Sequence, residues 1–258
     1  MMVKQRDTAI EIKNLHKAFD SKQVLAGVDL DIYRGESIAV IGASGTGKSV
    51  LIKHIIGLLW PDKGRITVDG IDISRLDDAE MNDFRGRFGM LFQGGALFDS
   101  FTVFENVAFP LRNRTRMSSG EIRERVMRLL DMTGMSGWED TWPSDLSGGM
   151  KKRVGLARAL AIEPKFMLYD EPTTGLDPVM GGIIDNLIIK TRDSMSVTSI
   201  TITHDMRSAA RIANRIAMLY KGKVIQAGSP EEIMASDIPE VRDFVRDRTS
   251  LDVGQVLE

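Results

Sequence analysis

The stretch Ser37-Ile-Ala-Val-Ile-Gly42-Ala-Ser-Gly-Thr-Gly-Lys48-Ser49 decides the fold of this chain. Residues 37–41 are nearly all apolar, which suits a strand covered on both faces. From Gly42 onward every fixed position of the phosphate loop G-x-x-x-x-G-K-[ST] is filled, and a helix to about Gly57 follows. Gly42, Gly45 and Gly47 let backbone N–H groups converge on an anion, and the helix N-terminus adds partial positive charge. Lys48 is then expected to reach the β- and γ-phosphates of a nucleotide, with the Ser49 hydroxyl on Mg²⁺. Ala43, Ser44 and Thr46 fill the loop and Val50 follows it, so residues 42–50 form one expected nucleotide contact.

Outward from this loop, strands and helices alternate. Ala9–Leu15 and Val24–Tyr33 read as strands, and in the second Val28, Leu30 and Ile32 alternate with Asp29 and Asp31 as in a half-buried antiparallel strand. Arg65–Asp69 and Phe88–Phe92 read as further strands. Between about Gly94 and Glu163 the pattern is helical: Ser118 and Glu121 have capping-box spacing, and Ile122, Val126, Leu129 and Leu130 form one apolar stripe. Strand and helix then resume with Phe166–Tyr169, a helix over Pro178–Arg192, Ser199–Thr203, Arg215–Tyr220 and Lys223–Gln226. The pattern predicts an α/β fold: a mostly parallel sheet, an N-terminal antiparallel part and an inserted helical subdomain. The expected division is 1–93 with 163–236 as the core, 94–162 as the insert and 237–258 as a tail.

Phe166-Met-Leu-Tyr-Asp170-Glu171 supplies the second half of a nucleotide site. Its apolar strand delivers Asp170 to a C-terminal end, where ligands bind in open α/β sheets. Asp170 is expected in the Mg²⁺ shell and Glu171 beside the attacking water. Leu146-Ser-Gly-Gly-Met150 opens the helical run Lys151–Ala161. Ser147 is an N-cap there, and Ser147, Gly148 and Gly149 also offer a second anion a hydroxyl and bare backbone.

With that segment the chain resembles the ABC ATPase family over essentially Ala9 to Ser236. The resemblance implies a catalytic role for Gln93, which ends a strand where the family senses Mg²⁺ and the nucleophilic water; a loop residue without function is the alternative. It implies that His204, after Ser199–Thr203, is the switch histidine. Gly175-Leu-Asp177 resembles the loop across which paired subunits communicate, while Asp177 also suits a cap for the helix at Pro178. Phe19 sits where the family stacks an aromatic on adenine, and a core phenylalanine has the same look. One position departs from the pattern: Met150 stands where the family usually has Gln, and a thioether lacks the amide's donors.

What the resemblance implies for mechanism is a head-to-tail homodimer, each ATP lying between one chain's Lys48 loop and the other's Ser147 loop, with the γ-phosphate holding the dimer shut. Work passes to an integral membrane permease through the surface near Gln93 and Leu97–Val107. Ala96, Leu97, Phe98 and Phe101 suit a receiving groove, or equally the core of the insert. Phe92-Gln-Gly-Gly-Ala-Leu-Phe98, Thr102-Val-Phe-Glu-Asn-Val-Ala-Phe-Pro110 and the Met150 ending resemble the Mla-type phospholipid, or organic-solvent-resistance, transporters of Gram-negative envelopes. These work with a permease, an MCE lipid-binding protein and often a STAS-domain subunit.

Bulk composition agrees. The chain has 258 residues, 43% hydrophobic, enough for one large core or a core with an insert. A net charge of -2 with 27% charged residues marks no nucleic-acid binder. There is no cysteine, so neither disulfides nor thiolate metal ligands enter. Met1–Ile10 lacks the apolar core of a signal peptide, and Leu51–Trp60, with Lys53 and His54, is too short to span a membrane. The expected place is the cytoplasmic face of the inner membrane, peripheral through the permease. An amino-acid or metal importer ATPase is the nearest rival and shares every catalytic residue. The long importer subunits often add a regulatory domain, for which no length remains. A chromosome-structure ATPase would need a heptad coiled coil between the motifs, a translation-factor ATPase a second cassette, and a P-loop kinase has no use for Leu146–Gly149. In the tail, Pro239 suits a helix start with Ile238, Val241, Phe244 and Val245 on one face. Leu251, Val253, Val256 and Leu257 extend its apolar content, which rests either on the same subunit's core or on another subunit.

Overall fold

The computed structural model describes residues 7–250. The chain runs β1 (Thr8–Phe19), β2 (Lys22–Tyr33), β3 (Ser37–Ile41), α1 (Lys48–Ile55), β4 (Lys63–Val68), β5 (Ile71–Asp72) and α2 (Asp78–Arg85). Next come β6 (Phe88–Leu91), α3 (Val103–Arg114), α4 (Ser119–Met132), α5 (Gly148–Leu160), β7 (Phe166–Asp170) and α6 (Pro178–Met195). The last are β8 (Thr198–Ile202), α7 (Met206–Ile212), β9 (Arg215–Tyr220), β10 (Lys223–Gly228), α8 (Pro230–Met234) and α9 (Pro239–Ser250). Two compact units share the described residues: 7–85 with 198–250 form the first, Gly86–Val197 the second. The architecture is mixed α/β, as the alternating pattern predicts.

In the first unit, β2-β1-β4-β5 form an antiparallel sheet. Val28, Leu30 and Ile32 are buried while Asp29 is exposed, so the alternation of β2 is the alternation of its two faces. Asn14 has φ 48 and sits at a register shift in β1, which lets that strand continue past Leu15 to Phe19. β3 lies parallel to both β8 and β9, and β10 returns antiparallel on β9. Every residue of β3 and β8 is buried, as expected for a strand covered on both faces. α9 packs on α7 and α8 with Val241 fully buried and Val245 nearly so, so residues 239–248 rest on their own chain. Leu251, Val253, Val256 and Leu257 lie outside the described residues.

In the second unit, β6 and β7 are parallel neighbours, and α5 packs against β6, α3, α4 and α6. The Ser118–Glu121 capping box is formed, and the stripe Ile122, Val126, Leu129 and Leu130 is buried. Thr102 and Glu105 make a second box at the head of α3. This unit holds the helical residues expected for 94–162 together with β6, β7 and α6.

Candidate nucleotide-binding site

Each unit carries its own set of the expected site residues. In the first, β3 pairs in parallel with β8 so that Val40 faces Ile202. Gly42 and His204 each lie two residues beyond that pair, so the phosphate loop and the histidine leave one sheet edge side by side. Gly42 has φ 152 and a Cβ there would lie 2.4 Å from the Leu219 carbonyl oxygen, so no other residue fits. Lys48 is 6% exposed, and its ammonium donates to the carbonyls of Gly42 at 2.8 Å and Ala43 at 3.0 Å. The Thr46 hydroxyl donates to Ala43 at 2.9 Å, closing the loop over a helix whose N-cap is Gly47. Ala43, Ser44 and Gly45 are exposed at its rim, with Ser49 and Val50 half-buried beneath. His204 is pinned on both sides: Thr203 N–H donates to Val40, and Asp205 caps α7 by accepting from Arg207 and Ser208 N–H. Phe19 ends β1 with 41% exposure, the Lys17 ammonium 5.6 Å from its ring centroid, so it is not a core residue.

The second unit repeats the device. Leu91 faces Tyr169 across β6 and β7, and Gln93 and Glu171 each follow two residues later. The exposed glutamine and the Asp170-Glu171 pair therefore share one edge. Glu171 has φ 51, a left-handed backbone uncommon outside glycine, and its Oε2 accepts the Thr174 hydroxyl at 2.8 Å. Ser147 caps α5, accepting from Met150 N–H at 3.3 Å, and Ser147 and Gly148 are exposed. Asp177 caps α6 by accepting from Val179 and Met180 N–H, both at 3.0 Å, with Pro178 in the first turn. The two turns touch: a Cβ on Gly149 would lie 2.6 Å from Met180 Cε and 3.8 Å from Leu176 Cδ2.

Two cations on α5 were not among the expected site residues. Half-buried Arg158 donates to the Gly95 and Ala96 carbonyls at 3.0 and 2.8 Å, tying the turn after Gln93 to the helix. Lys152 is 4% exposed and donates to Pro172 at 2.8 Å and Thr174 at 2.6 Å, with Glu171 O at 3.4 Å. Burial pushes the Lys152 ammonium below the ordinary lysine value, and the Glu171 carboxylate pulls it partly back. The run Lys151-Lys152-Arg153 reads as a solvated face, which hid the residue. The rings of Phe98, Phe101 and Phe109 pack on one another at 4.8–5.8 Å, and Phe98 and Phe109 are 42% and 38% exposed.

A family model described as ABC transporter matches residues 25–174, more than half of the chain. This chain belongs to the ABC transporter family. As an ABC transporter ATPase subunit, it hydrolyses ATP in a reaction coupled to transport. It is 42% identical over 246 residues to a probable ribonucleotide transport ATP-binding protein, mkl, of Mycobacterium leprae, covering 95% of this chain and 71% of that one. To the intermembrane phospholipid transport system ATP-binding protein MlaF of Haemophilus influenzae it is 39% identical, covering 92% and 90%. To the methionine import ATP-binding protein MetN of Carboxydothermus hydrogenoformans it is 40% identical, covering 92% and 71%. A solved ATP-binding cassette dimer in a post-hydrolysis state, bound to ADP and phosphate, superposes with TM-score 0.80 at 34% identity over 86% of this chain and 98% of that one.

Proposed function

We propose that this subunit powers movement of phospholipid between the membranes of a Gram-negative envelope, within an Mla-type complex. The observation that carries the substrate is the segment Phe92–Phe98 with its exposed aromatic neighbours, together with the Met150 ending of the Ser147–Gly149 turn. The relation to MlaF, which spans 90% of that protein, supports it. Methionine and sulfate importers are comparably identical, so identity alone does not choose the cargo.

In the proposed cycle, two copies associate head to tail and each ATP lies between residues 42–50 of one and Ser147–Gly149 of the other. Lys48 meets the β- and γ-phosphates, and Phe19 stacks on adenine. Ser49 and Asp170 supply only oxygen donors, the chemistry Mg²⁺ prefers, and the ion when bound neutralises developing phosphate charge. Glu171 accepts a proton from the attacking water, Gln93 and His204 report on the γ-phosphate, and Asp177 carries the state of one site toward the other. Residues 94–162 act as an insert between nucleotide-binding segments 1–93 and 163–236, with 237–258 as a tail. The Phe98-Phe101-Phe109 surface receives the permease. The subunit stays peripheral at the cytoplasmic face of the inner membrane; among the described residues no helix is long and apolar enough to cross one. An MCE protein and a STAS-domain subunit complete the assembly, and nucleic acid has no part.

The test is reconstitution of the co-purified complex in vesicles containing a fluorescent phospholipid. ATP-dependent transfer of that lipid to an acceptor is expected. ATP-dependent uptake of an amino acid or metal with no lipid transfer would replace this reading with the importer.

A further inference from the structure

Lys152 does something its position in a cationic run does not announce. It lies one turn beyond Ser147–Gly149 on α5, and the residue is 4% exposed. An ammonium has three donors, and here they face three backbone carbonyls of a single loop, those of Glu171, Pro172 and Thr174. Burying a cation without a directly bonded carboxylate is costly, and proteins keep such a group only where its hydrogen bonds are met. The loop it clamps is the one whose backbone turns left-handed at Glu171, with φ 51. That conformation is unfavourable for a side chain with a Cβ and persists only when its surroundings over-determine it. The Thr174 hydroxyl, on the same clamped loop, holds Glu171 Oε2 at 2.8 Å. The path from α5 to the carboxylate is thus a chain of short polar contacts.

We propose that Lys152 is a positioning residue for ATP hydrolysis, holding Glu171 in its working orientation by clamping the 171–174 carbonyls to the helix that begins at Ser147. The inference rests on Glu171 acting as the base in the proposed function. It also gives α5 a double duty. The head of the helix serves the partner's nucleotide while Lys152 sets the glutamate that serves the chain's own, so displacement of one reaches the other.

The test compares Lys152→Met, of similar length but without donors, and Lys152→Gln, which keeps two N–H donors without enlarging the side chain. For each, the maximal ATPase rate, the nucleotide affinity and the thermal unfolding curve are measured on the full chain. Misplacement of a reacting group by about 1 Å costs up to ~10²-fold, so Lys152→Met is expected to lose ~10–100-fold in kcat. Nucleotide Kd is expected to stay within about twofold, because the phosphate loop is untouched. Lys152→Gln should recover part of the rate, and it decides the matter if the methionine variant does not fold. A kcat for Lys152→Met within about twofold of wild type, a Kd that worsens as much as the rate, or a glutamine variant no faster than the methionine one would each overturn the inference. Glu171→Gln runs alongside: if that variant keeps its turnover, the catalytic reading itself fails, whereas a dead Glu171→Gln beside a fully active Lys152→Met sinks the Lys152 inference alone.

Discussion

Gly94 and Gly95 are neighbours of one residue type, yet the structure assigns them opposite tolerances. At Gly95 φ is +78, and an added Cβ would lie 2.7 Å from Lys151 O and 3.0 Å from Lys151 C. Both are backbone atoms of α5 and cannot turn aside. The left-handed backbone costs a non-glycine residue ~1–2 kcal/mol. Forcing a methyl group into a packed contact adds ~1–3 kcal/mol, for a total of about 2–5 kcal/mol. Relief comes by moving the 92–96 turn off the helix, which strains the Arg158 bonds to the Gly95 and Ala96 carbonyls and displaces Gln93. At Gly94 nothing lies within 4 Å of the added atom, and substitution there should stay within ~0.5 kcal/mol. At ~2–4 °C per kcal/mol for a chain of this size, Gly95→Ala should melt at least ~4 °C lower by circular dichroism. Its ATPase rate should fall, while Gly94→Ala matches wild type in both. A Gly95→Ala protein that melts and turns over like Gly94→Ala would refute the close packing of this turn on α5.

Three further outcomes are expected. Lys48→Ala removes the charge proposed to face the phosphates; charge-assisted hydrogen bonds contribute ~1.5–3 kcal/mol, so nucleotide affinity should drop ~10–150-fold by titration calorimetry, and a change under about twofold would contradict the assignment. His54 is fully buried, its Nδ1–H donating to Val50 O at 2.7 Å, and burial lowers its pKa below 6.5. The unfolded chain therefore binds the extra proton first, so stability is complete above about pH 6.5 and falls as the pH drops below it, by up to ~1.4 kcal/mol per pH unit. Denaturant midpoints between about pH 5 and 7 should show this slope in wild type and a flatter one in His54→Gln; equal slopes would remove His54 as the cause. Phe19→Ala should weaken ATP binding with no loss of melting temperature, because the ring is exposed, whereas a large loss of stability would restore a core role.

The phosphate loop and the Asp170-Glu171 strand end were legible because their chemistry needs contiguous residues: a run of glycines before Lys48, an apolar strand before a carboxylate. Side-by-side placement of Gly42 with His204, and of Gln93 with Glu171, depends on parallel pairing of distant strands, which local pattern suggests only as fold class. The short helices α2, α7 and α8 leave no clear mark in the sequence because five to eight residues hold too little apolar periodicity to separate from loop. For Ala96–Phe101 the pattern allowed surface or core alike, and only the fold shows Phe98 at the surface. Lys152 and Arg158 were invisible for a physical reason. A cation signals solvent unless carbonyls hidden elsewhere in the sequence converge on it.

Mixing two inactive variants tests whether nucleotide sites are shared between two copies, as proposed. If the sites are shared as proposed, Ser147→Arg damages only the site that the partner's phosphate loop occupies, and Lys48→Ala only the variant's own. In their heterodimer one composite site carries both lesions and the other carries neither. A wild-type and Lys48→Ala heterodimer serves as the reference for what one intact site can do. With shared sites, the mixture should hydrolyse ATP well above either variant alone and at the rate of that reference. Verified heterodimers that stay inactive while the reference turns over would contradict it.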